Sequence, residues 1–184
     1  MWYIPPTVGR TSLLRRALPL ALVLAAICAF AAPQKKEPAP RFTARATDGE
    51  KFSNDSVKGK VVLLDFWTTW CPYCNEEAEI VDKLGREFAD KGLIVLAINV
   101  AESKKKVKQH LERHPRTSHI VLMEDTNLAA MYQATVYPIY VVIDREGNIA
   151  GNERGAGGER ALRKLLAGAG LASKNRDEDS EDGR

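Results

Sequence analysis

Apolar residues along this chain change their spacing from segment to segment, and each spacing predicts an element. Lys60 to Trp67 runs through Val61-Val62-Leu63-Leu64-Asp65-Phe66-Trp67, almost continuously apolar, as expected of a strand buried on both faces of a sheet. From residue 74 to 90 the apolar side chains return at helical intervals, at Ala78, Val81, Leu84, Phe88 and Ala89, with Gly92 as the stop. Leu93 to Val100 reads as a second buried strand. Ser103 is placed to cap a strongly charged helix that reaches about Arg113 and ends at Pro115. A strand over Ile120 to Met123 and a short helix over Asn127 to Tyr132 follow. Next come a strand over Ile139 to Asp144, a turn at Arg145-Glu146-Gly147-Asn148, a partner strand from Ile149 and a last helix over Gly158 to Leu166. Upstream, Phe42 to Phe52 reads as a small hairpin turning at Asp48-Gly49. Strands alternating with helices and closing in a hairpin predict an α/β fold, a mixed central sheet flanked by helices.

The two ends of the chain read differently. Arg15-Arg16 precede an apolar run from Ala17 to Ala32, broken only by Pro19, which is short for a bilayer span and has the form of a secretory signal. Small residues in Ala29-Phe30-Ala31 predict cleavage before Ala32. An uncleaved signal-anchor is the main rival. Lipid modification of Cys28 is weaker, because bulky Ile27 precedes it. The expected organisation is a signal peptide over 1–31, a polar linker over 32–40, one domain over 41–170 and a disordered charged tail over 171–184. The expected location is periplasmic or otherwise extracytoplasmic, with membrane attachment only if the signal stays on.

Export alters the charge balance. Arg10, Arg15 and Arg16 are the only charged side chains of the first 31 residues, so the remaining chain has 24 basic and 24 acidic residues. That neutrality offers no electrostatic case for a nucleic-acid partner.

The candidate chemistry lies where the first buried strand meets the first long helix, in Trp70-Cys71-Pro72-Tyr73-Cys74. Two residues between the cysteines let the sulfurs meet across one turn. The first thiol sits at the helix N-terminus, where free N–H groups and the helix dipole favour a thiolate. A disulfide with a purely structural role is unusual at such a junction. Half a zinc site would need a second Cys/His pair, and the only other cysteine is Cys28. His110 and His114, four apart on a charged helix, read as a solvated pair. Asp65 stands out because a carboxylate inside an apolar strand is costly to bury.

Phe66-Trp67-Thr68-Thr69-Trp70-Cys71-Pro72-Tyr73-Cys74 resembles the active-site segment of thioredoxin-fold proteins, specifically the exported TlpA/ResA-like branch. The resemblance covers roughly Phe42 to Gly168 and includes Asp48-Gly49-Glu50-Lys51-Phe52, Val57-Lys58-Gly59-Lys60, Ile98-Asn99-Val100-Ala101-Glu102-Ser103 and Tyr137-Pro138-Ile139. It implies a thioredoxin fold with an N-terminal β-hairpin and a thiol–disulfide oxidoreductase needing no metal or cofactor, with Cys71 as the solvent-accessible nucleophile and Cys74 resolving. Its partners would be a disulfide-containing protein substrate, an apocytochrome among the possibilities, and an upstream membrane or exported thiol electron donor. The resemblance also implies a cis Pro138 beside the dithiol, Tyr137 offering its backbone to an extended peptide, and Trp70, Pro72 and Tyr73 completing the substrate-contacting surface. Asp65 would move protons to and from Cys74, and Glu77 matches a glutamate near the dithiol. A peroxide-reducing redoxin and a copper-binding assembly module are the alternatives. Leu64 stands where the first needs proline, and the second usually spaces its cysteines by three and adds a histidine.

Overall fold

A computed structural model describes residues 36–172. The expected signal segment, Cys28 and residues 173–184 of the expected tail lie outside the described residues, and no helix within the described residues is long and apolar enough to cross a membrane. The elements are β1 (Thr43–Ala46), β2 (Lys51–Ser53), β3 (Val61–Trp67), α1 (Pro72–Glu87), β4 (Leu93–Asn99), α2 (Lys104–Arg113), β5 (His119–Thr126), α3 (Leu128–Met131), β6 (Ile139–Ile143), β7 (Ile149–Arg154) and α4 (Gly158–Gly168). They build one seven-stranded sheet in the order β2-β1-β5-β4-β3-β6-β7. β3, β4 and β5 run parallel, and the remaining pairings are antiparallel. This is the mixed α/β architecture that the alternation of strands and helices predicts.

Every residue of β3 is buried, because helices cover one face of the sheet and a second core covers the other. Alternation along the strand sorts its side chains. Val61 and Leu63 meet Val81, Leu84 and Phe88 beneath α1 and Leu162 and Leu166 of α4. Val62, Leu64 and Phe66 meet the hairpin residues Phe42, Ala44 and Phe52 and the α3 residue Leu128. Asp65 shares the α1 side with its odd-numbered neighbours.

Four expectations change. The tail expected over 171–184 starts later, because Leu171 is buried in the core with Leu162 and Leu166 and donates its N–H to the Leu166 carbonyl at 2.9 Å. Ala89 is exposed rather than part of the helical stripe, since α1 ends at Glu87 and a 3₁₀ turn over Ala89–Lys91 rotates it outward before Gly92, at φ +82°, reverses the chain. β5 runs to Thr126 rather than Met123 because β1 pairs along it from Ala46↔Val121 to Ala44↔Thr126, so backbone hydrogen bonds extend a strand whose side chains there are polar. His110 is buried, stacked on His114 at 4.7 Å and packed on Trp67 at 5.6 Å, so it is not half of a solvated pair. Residues 36–40 also meet the domain: Pro38 bridges Asn148, and Lys36 reaches the buried carboxylate of Asp144 at 2.7 Å.

The dithiol and its buried charges

Pro72 opens α1, where a missing N–H costs nothing and a fixed φ suits the first turn. Cys71 is the N-cap, and its Sγ accepts the Cys74 N–H at 3.1 Å. Cys71 and Cys74 are joined in a disulfide, with Cα atoms 5.3 Å apart. In this oxidised state the two are equally covered, 3% and 4% exposed, so accessibility does not set Cys71 apart as anticipated. Both sulfur-bearing side chains pack with Trp67, Ala97, Val107, Ile120 and Leu122, and Tyr137 lies against that cluster. What distinguishes Cys71 is its place at the helix cap, where an N–H already points at the sulfur.

The rim is aromatic. Trp70 and Tyr73 are more than half exposed, and Trp70 meets Tyr137 edge to face at 6.0 Å. The Tyr137–Pro138 peptide bond is cis. The Tyr137 hydroxyl donates to the Ala134 carbonyl at 2.9 Å, whereas no partner among the described residues takes up the Tyr137 backbone N–H or C=O.

Beneath the helix lie three buried acids, Asp65, Glu77 and Asp82, and one buried arginine, Arg116. Arg116 is 2.9 Å from Asp65 Oδ2 and 3.7 Å from Asp82 Oδ1, and its guanidinium packs over Trp67. Asp82 accepts in addition from the Thr117 N–H at 2.8 Å and the Ser118 hydroxyl. Burial raises the Asp65 carboxyl above its ordinary value, and Arg116 opposes that rise. Glu77 is not the exposed helix residue that its neighbour Glu76 would suggest: it faces inward, accepting from the Tyr140 hydroxyl at 2.8 Å and from the Gly158 N–H. A cavity of about 230 Å³ is lined by Cys74 together with Trp67, Asp82, His110, His114 and Arg116 among others. Burial, then the neighbouring His114 and Arg113, lowers the pKa of His110.

Sequence reasoning missed Asp82, Arg116 and Glu102. Asp82 follows Cys74 by eight residues, on the buried face of α1, so its spacing was a usable signal. Arg116 follows Pro115 in a polar loop and carried none. Glu102 reads as a charged residue before a charged helix, yet its carboxylate accepts from the Thr69 N–H at 2.6 Å and the Thr69 hydroxyl at 2.7 Å. Among the described residues, the one group of three His, Cys, Asp or Glu side chains whose ligand atoms converge within 4.8 Å is Asp48, Glu50 and His119, on the hairpin side and without a cysteine.

Residues 34–166 match the Redoxin family. The chain is 37% identical over 119 residues to thioredoxin-like protein YneN of Bacillus subtilis (strain 168), covering 63% of this chain and 69% of that protein. It is 31% identical over 111 residues to the thiol-disulfide oxidoreductase ResA of the same organism, covering 60% of this chain and 62% of ResA. A solved thiol:disulfide interchange protein of the thioredoxin family from Chlorobium tepidum TLS superimposes with a TM-score of 0.65 at 27% identity, over 75% of this chain and 99% of that one. With its helix-capping cysteine pair and its thioredoxin-type sheet, the chain belongs to the Redoxin family and is a thiol–disulfide oxidoreductase of it.

Proposed function

We propose that the protein is an exported reductant of protein disulfides. The observation that carries the exchange chemistry is the Cys71 sulfur at the N-cap of α1, receiving an amide N–H, beside a Tyr137 backbone with its hydrogen-bonding groups free to pair with a peptide. The Cys71 thiolate attacks one sulfur of the substrate disulfide and expels the other as a thiolate, leaving a mixed disulfide. The Cys74 thiolate then attacks the Cys71 sulfur and releases the second substrate thiolate. The substrate gains two electrons and, on protonation, two protons; the protein keeps the Cys71–Cys74 disulfide. An external dithiol donor, membrane-bound or exported, must reverse that oxidation. Trp70, Pro72, Tyr73, Tyr137 and Pro138 form the contact surface, Asp65 exchanges protons with Cys74, and Glu77 supports the helix that carries the pair through Tyr140 and Gly158.

Two features support reduction rather than oxidation. Between Val100 and Pro138 the chain forms only α2, β5 and α3, with no large helical insertion. Buried carboxylates around the dithiol disfavour accumulated thiolate charge, which disfavours the reduced form and makes the protein more reducing. Equilibration with glutathione buffers is expected to yield a potential more negative than about −200 mV; a value near −120 mV, that of a strong oxidant, would reverse the direction. Removal of residues 1–31 on export is expected to leave Ala32 at the N-terminus of the mature protein in mass spectrometry. A full-length cytosolic product would remove the case for export.

A further inference from the structure

We propose that Glu102 is a positioning residue of the dithiol, whose buried carboxylate fastens the segment leading into Cys71 and whose charge sets the thiol–disulfide balance of the Cys71–Cys74 pair. This rests on the reading of Cys71 as the attacking thiol.

The Glu102 side chain is 3% exposed and fully engaged. Oε2 accepts from the Thr69 N–H at 2.6 Å and the Asn99 side-chain amide at 2.9 Å; Oε1 accepts from the Thr69 hydroxyl and the Lys106 ammonium, both at 2.7 Å. One carboxylate therefore ties together the β3–α1 junction, the end of β4 and the first turn of α2. Thr69 is two residues before Cys71 and lies inside the turn in which the Cys71 N–H donates to the Thr68 carbonyl at 3.4 Å. The backbone is bent to allow this. Ala101, immediately before Glu102, has φ +58°, a left-handed conformation that is strained for a residue with a Cβ and persists only where the surrounding contacts hold it.

Burial pushes the Glu102 carboxyl up, but hydrogen bonds from Lys106, Asn99 and Thr69 hold it at about 2, so it is charged at neutral pH. The titratable and charged groups facing it are Lys106 and His110 of α2 and Tyr137 of the loop before β6. After burial, the Glu102 charge is what raises the Tyr137 hydroxyl, so its field reaches from the β4–α2 turn to the cis-proline loop. Lys106 is 54% exposed and shared with solvent, so it cancels that field only in part. An uncancelled negative charge beside the dithiol disfavours the Cys71 thiolate.

The test is equilibration of the wild type, Glu102→Gln and Lys106→Met with glutathione, in which the protein disulfide and two glutathione thiols exchange with the dithiol and one glutathione disulfide. The pH dependence of iodoacetamide labelling is followed in parallel, with peptide mapping of the labelled cysteine. Glu102→Gln is expected to move the equilibrium about tenfold toward the dithiol and to lower the pH of half-maximal Cys71 labelling by about one unit. Lys106→Met is expected to move both in the opposite direction. Opposite shifts from the two ends of one ion pair mark a charge effect, whereas a simple latch would shift both variants alike. Shifts of the same sign, or none, overturn the inference. Should Glu102→Gln fail to fold, Lys106→Met decides alone, and an equilibrium unchanged or moved toward the dithiol refutes it. First labelling of Cys74 would instead refute the assignment of Cys71, a separate outcome.

Discussion

Cys71→Ser is expected to reduce disulfide exchange to the uncatalysed background, while Cys74→Ser should still attack and then stall as a stable mixed disulfide. The asymmetry follows from the helix cap. At neutral pH a serine hydroxyl offers no appreciable oxyanion, and no sulfur remains where the Cys74 N–H points. In Cys74→Ser that N–H and the helix N-terminus still serve the Cys71 thiolate, so the first step survives. The second step is lost because it is intramolecular: Cys74 sits one turn along α1 and acts at a high effective concentration that no solution thiol matches. Quenched-flow mass spectrometry on a disulfide-containing protein would resolve the two steps. A trapped complex with Cys71→Ser and none with Cys74→Ser would exchange the two roles.

The largest expected loss of stability comes from Arg116→Leu. The Arg116 side chain is 4% exposed and is the cation held against Asp65, which is itself buried. Removing it leaves that carboxylate without its counter-charge, a change that typically costs about 3–5 kcal/mol. Whole domains are stable by only about 5–15 kcal/mol, so the shift should be plain in a urea titration. The pH dependence has a definite sign. The folded-state pKa of Asp65 lies above its unfolded value, so its contribution to stability is greatest below the unfolded pKa and is lost as pH rises through the folded pKa. Without Arg116 that pKa rises further. The difference between wild type and Arg116→Leu should therefore be widest at neutral pH and should narrow as acid protonates Asp65. Arg116→Leu combined with Asp65→Asn should recover part of the loss, because Asp82 keeps its Thr117 and Ser118 donors. A difference that stays constant from pH 7 to pH 5 would assign the effect to lost packing on Trp67.

Local patterns in the chain were enough for most of the fold. The apolar run of β3, the helical spacing of Val81, Leu84 and Phe88, the Ser103 cap and the Asp48-Gly49 turn each depend on neighbours within a few residues, and each element formed where its pattern lies. The cysteine pair was legible for the same reason, since a two-residue spacing at a strand–helix junction specifies a helix-capping sulfur wherever the sheet is placed. The inward turn of Glu77 was half legible: it stands three residues after Cys74 and four before Val81, on the stripe that α1 buries, although its partner Tyr140 is 63 residues away.

Tertiary structure alone decided which charges are buried and against what. Glu102 and Thr69 are 33 residues apart and Arg116 and Asp65 are 51 apart, so nothing in the local sequence of either marks the pairing. A charged residue beside a polar helix has the same local pattern whether it ends in water or under a loop. The difference arises only when the β4–α2 turn and the α2–β5 loop close over the helix face of the sheet. Closure removes water from these groups, and a carboxylate without water must find donors in the protein. Tertiary contacts also set β1 beside β5 and buried His110 against Trp67. The chain's periodicity determined where a dithiol stands; the electrostatic surroundings that govern its reactivity came from contacts between residues far apart in sequence.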